Sequence, residues 1–137
     1  MRIIPLLALT AMLTAASPAL GHDGHVHETH DVAAESAPVI KNFAISGTPA
    51  DGFTVTVEVE NFTFVEDGTQ VPPGQHAGHV HLSINGADLG MYYEPVFTIE
   101  ELPYGPHDLT VVLSDTEHLD YAINGRPIAA TTTFTVE

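Results

Sequence analysis

Residues 53–60 read FTVTVEVE: Phe53, Val55, Val57 and Val59 alternate with Thr54, Thr56, Glu58 and Glu60. A period of two sends one side of an extended chain into a core and the other into water, so this stretch reads as a half-buried β-strand. Working outward, residues 39–46, 79–84, 108–114 and 131–136 carry similar short runs, with weaker ones near Phe62, Met91 and Phe97. Asn85-Gly86 and Asn124-Gly125 separate such runs as tight-turn pairs, and Asp51-Gly52 and Asp67-Gly68 have the same turn chemistry. No ten-residue window carries a helical stripe. The spacing predicts an all-β domain over residues 39–137, an antiparallel immunoglobulin-like sandwich of seven to eight short strands, with a small closed barrel as the rival.

With 137 residues the chain has room for one such domain. Met1 and Arg2 precede the apolar run IIPLLALTAML (3–13), and small residues follow to Gly21, the pattern of a secretory signal peptide over 1–21. The run is too short to span a membrane, so an exported protein without membrane insertion is expected, periplasmic or secreted. Cleavage after Gly21 leaves Lys41 and Arg126 as the fixed cations against 18 Asp and Glu. Such a surface attracts cations, and it excludes nucleic acid as a partner because it offers no basic face to phosphate. The absence of Cys removes disulfides, thiolate metal sites and cysteine nucleophiles together. A hydrolytic enzyme is poorly supported too, since there is no Gly-x-Ser-x-Gly elbow.

What stands out is nine His. In PPGQHAGHVHLSING (72–86), Val80, Leu82 and Ile84 share one strand face, and His79 and His81 share the other. Alternate positions on a strand lie roughly 6.5–7 Å apart, a gap that two imidazoles can close onto one ion. His76 lies between Gly74 and Gly78, where a bend can bring in a third ring, and His118 and Met91 add candidates near strand ends, as do His107 and Glu94. Imidazole suits copper and zinc without sulfur; a Met thioether favours Cu(I). Residues 22–38 (HDGHVHETHDVAAESAP) read as a flexible acidic tail in which His22, His25, His27 and His30 form a capture tract. With cleavage after Gly21, His22 offers its α-amine and its ring to one ion, a chelate that suits Cu(II).

GHDGHVHETH after a signal segment and GHVHLSING within a β domain resemble the small exported bacterial copper-binding proteins with an immunoglobulin-like or cupredoxin-like sandwich, including the CopC type. That resemblance implies a copper role for His22 at the mature terminus. The stretch 78–128 is similar to a group of uncharacterised secreted β domains. His-Val-His on a strand is also similar to the copper ligands of copper/zinc superoxide dismutase, although the paired Cys of that family are absent and the downstream Asp and His do not match its zinc loop.

The principal functional expectation is therefore a copper-binding protein, with zinc as the second metal, that sequesters the ion or passes it to another periplasmic metal-handling protein. Its binding should weaken below about pH 6 as imidazoles take protons. A metal-free sandwich that binds protein or glycan through its loops is the alternative, and a copper redox enzyme of superoxide dismutase-like type is the third reading.

Overall fold

The computed structural model describes residues 28–137. The expected signal segment, and His22, His25 and His27 with it, lie outside the described residues. Within them the chain runs β1 (Thr29–Asp31), a 3₁₀ turn (Ala34–Ser36), β2 (Val39–Thr48), β3 (Gly52–Glu60), β4 (Thr63–Phe64), β5 (Ala77–Ile84), β6 (Ala87–Tyr92), β7 (Val96–Ile99), β8 (Gly105–Ser114), β9 (Asp120–Ile123), β10 (Arg126–Pro127) and β11 (Ala129–Val136). Eight of these strands are four residues or longer and form the expected all-β sandwich. The other three, β1, β4 and β10, are too short to leave a periodic signal. None of the helices among the described residues is long and apolar enough to cross a membrane.

Two sheets face each other. One is built on the antiparallel run β6-β5-β8-β11, and the other is β2-β3-β7. The alternation read in 53–60 holds: Phe53, Val55 and Val57 are buried and meet Val80 and Leu82 of β5, Leu109, Val111 and Leu113 of β8, and Phe97 and Ile99 of β7. Asn85-Gly86 forms the β5–β6 hairpin with both residues at positive φ, 49° and 84°, the backbone such a two-residue turn demands.

The short strands decorate the first sheet at one end. β9 folds back from β8, β10 pairs with β9, β1 runs parallel to β9, and β4 runs parallel to the start of β5. Tyr121 of β9 ties this end together, its hydroxyl donating to the Ala77 carbonyl (3.0 Å) and accepting from the Ala77 amide (3.1 Å). Residues 28–38 thus differ from the expected flexible tail, because Thr29–Asp31 pairs with β9 and the Val32 amide donates to Ala122. Backbone pairing supplies what side-chain periodicity in so polar a segment did not announce.

Candidate metal centre

β5 pairs with β8 on one side and β6 on the other, so Val80 and Leu82 point into the core and His79 and His81 point away from it. The outward face is not bare at this end. Two loops roof it, residues 65–76 and residues 115–119. The first is anchored by Val65 and Thr63 amides donating to the Gly78 and His76 carbonyls, and by the Gly68 amide donating to Thr116 in the second loop. The roof leaves His79 with no solvent exposure, His81 half-buried and His118 exposed.

Three imidazoles converge there. One nitrogen each from His79, His81 and His118 lie within 4.8 Å of one another, a group that can hold a metal ion. His79 and His81 are stacked, with ring centroids 4.9 Å apart and Nε2 atoms 2.9 Å apart. The His118 ring sits 5.1 Å from that of His79 and 6.5 Å from that of His81. His118 reaches the group from a non-glycine residue at φ 67°, a left-handed conformation held by the turn around Asp115.

Asp67 and Tyr93 were not among the residues singled out from the sequence, yet both belong to the centre. Asp67 Oδ1 lies 3.3 Å from His79 Nδ1 and Oδ2 lies 3.2 Å from His118 Nε2. The Tyr93 hydroxyl donates to Oδ2 over 2.8 Å, and that bond holds the phenol above its ordinary pKa. The first contact has the distance of an ion pair without hydrogen-bond alignment, so His79 Nδ1 is a buried nitrogen with no hydrogen-bond partner among the described residues. Asp67 thus places a carboxylate beside the far nitrogen of His79 by proximity and not by a hydrogen bond. The sequence signal was Asp67-Gly68, which reads only as a turn until the fold lays that turn over β5.

Burial pushes the His79 pKa below its ordinary 6.5; His81 lowers it further, Asp67 opposes, His118 lowers and Asp115 opposes. The ring is therefore neutral and ready to ligate near pH 7. In the metal-free chain the sign follows by linkage: with the folded pKa depressed, the unfolded chain takes up the proton first as pH falls. The stabilisation from keeping His79 neutral is complete above about pH 6.5 and is lost as pH drops from there toward the folded pKa. Urea midpoints at pH 7.5 and 5.5 should fall more in the native chain than in His79→Gln. His79→Gln removes this one imidazole and leaves His81, His118, Asp67, Tyr93 and Asp115 around it in both chains. An equal fall in the two would rule out this origin.

The remaining sequence candidates lie elsewhere. His76 is buried but does not join the triad: it precedes β5, and its ring packs edge-on against Tyr121 at 5.5 Å. His30, expected in a capture tract, sits on β1 with Nδ1 2.9 Å from Asp115 Oδ2. Met91 stands opposite His81 in the β5–β6 register, exposed, on the outward face beside the triad. His107 is structural, with Nε2–H donating to the Pro103 carbonyl and Nδ1 accepting from Asn85 Nδ2. Comparison with protein-family models, curated proteins and solved structures finds no match to this chain, so its centre is interpreted from its own geometry.

Proposed function

We propose that this is an exported copper-binding protein that holds the ion at His79, His81 and His118 and releases it by ligand exchange. The observation that carries the reading is the convergence of His79, His81 and His118, one nitrogen from each lying within 4.8 Å of the others. Three imidazoles without a thiolate make a donor set that suits copper, with zinc as the second metal.

The graded exposure supports exchange. His79 is sealed beneath the roof, His81 is partly covered, and the His118 side chain is 47% exposed. An incoming ligand from a metal-handling partner meets His118 first and His79 last, so the ion leaves stepwise without exposing the core. The acidic surface raises the local cation concentration. Thr29 of β1 pairs with Asp120, two positions after His118, and His22, His25 and His27 precede it in the sequence, an order that suits a capture arm.

Titration of the mature chain carrying His22→Ala, His25→Ala and His27→Ala with Cu(II) and Zn(II) in competition tests the proposal. One copper per chain is expected, in preference to zinc, with the spin-resonance signature of tetragonal nitrogen coordination. A chain that takes up neither ion at micromolar concentration would leave the metal-free interaction module as the better reading.

A further inference from the structure

Asp115 is buried at 7% exposure, and its side chain makes no hydrogen bond to any of the three imidazoles. Its two carboxylate oxygens face different tasks. Oδ1 accepts the amides of Glu117 (2.8 Å) and Leu119 (2.9 Å), which flank His118 on either side. Its backbone completes the turn, the Asp115 amide donating to Leu119 and the Asp115 carbonyl accepting from His118. Oδ2 is taken by His30 Nδ1 at 2.9 Å. A carboxylate with one engaged oxygen can rotate about its last torsion; with both engaged in different directions it cannot.

His30 is itself held. It lies at the middle of β1, paired with Tyr121 of β9, and its ring lies 4.8 Å from the Tyr121 ring. Thr29 pairs with Asp120 before it, and after it Asp31 Oδ1 accepts the Gly125 amide and the Val32 amide donates to Ala122, so the strand is fastened on both sides of His30. Tyr121 in turn grips Ala77, two positions before His79. The N-terminal strand thus reaches both ligand-bearing elements, the His118 turn through Asp115 and the start of β5 through Tyr121.

We infer that His30 and Asp115 are positioning residues for the metal centre: β1 is a clasp whose His30–Asp115 contact fixes the left-handed turn that presents His118. The inference rests on the copper reading for its metal arm and stands without it for its structural arm. By linkage, whatever the clasp adds to metal affinity the metal returns to the clasp.

The test uses the full mature chain with His22, His25 and His27 replaced by Ala, so that the arm does not compete for copper. In the metal-free chain, His30→Ala should speed hydrogen exchange of the Glu117 and Leu119 amides roughly three- to tenfold, the effect of losing one charge-assisted contact on a local opening. His30→Ala should also weaken Cu(II) binding by roughly five- to tenfold, and His30→Gln, which keeps a donor for Asp115, should recover part of it. In a His118→Ala background, His30→Ala should change affinity no further, because the residue it positions is gone. Unchanged exchange at Glu117 and Leu119 would overturn the clasp, and so would an equal affinity loss with and without His118. A reference chain that binds no copper would defeat the copper reading instead, and the exchange arm would then decide the clasp by itself.

Discussion

His79→Ala should remove copper binding by the folded domain, lowering its affinity by at least about a hundredfold. Loss of a partner that merely orients a ligand costs 10–100-fold, and His79 is the ligand itself. It is also the ring on which the centre is organised, since His81 stacks on it, His118 lies 5.1 Å from it and Asp67 backs it. The sharpest comparison is His76→Ala, close in sequence and equally an imidazole, which should leave affinity within about threefold because its ring packs against Tyr121 and does not join the group. Both are checked by calorimetric titration with Cu(II), with circular dichroism confirming the β fold. Because His79 is buried, His118→Ala serves as the variant least able to disturb folding, its side chain being 47% exposed. Retained affinity in both His79→Ala and His118→Ala would remove the triad as the binding site.

Gly78→Ala should cost about 3 kcal/mol or more of folding stability, at the upper end of what an inserted methyl group does in a close-packed region. Gly78 has φ 156°, and a Cβ there would land on the Ser114 carbonyl and against the Asp115 Cα. Backbone, not a flexible side-chain end, stands in the way, so β5 and β8 must part where Ser114 pairs with His79. Gly86→Ala is the control: a Cβ there meets nothing, and only the left-handed backbone of a turn resists it, about 1–2 kcal/mol. Urea unfolding of the two variants should separate them clearly. Equal midpoints would show that the strands yield at Gly78.

Much of the sandwich was legible because strand burial has a local signature. FTVTVEVE, the inward set Val80, Leu82 and Ile84, and the two Asn-Gly turns each announce themselves within a few residues, and each holds in the fold. The short strands β1, β4 and β10 left no trace, since two or three residues cannot show a period. Two of the three imidazoles were legible by the same rule: His79 and His81 share a face because they are two apart.

The amino-acid order alone determined that the chain makes β-strands, which side of each strand enters the core, that an acidic, cysteine-free chain carries nine imidazoles, and that two of these project together. Only the tertiary structure decided that His118 completes the group, that Asp67 and Tyr93 stand behind it, and that His30 braces a turn by way of Asp115. The physical reason is separation along the chain. Alternation along a strand is fixed by neighbouring residues, whereas Asp67, His79 and His118 meet through loops folded over a sheet, and no short-range pattern records where a loop will come to rest.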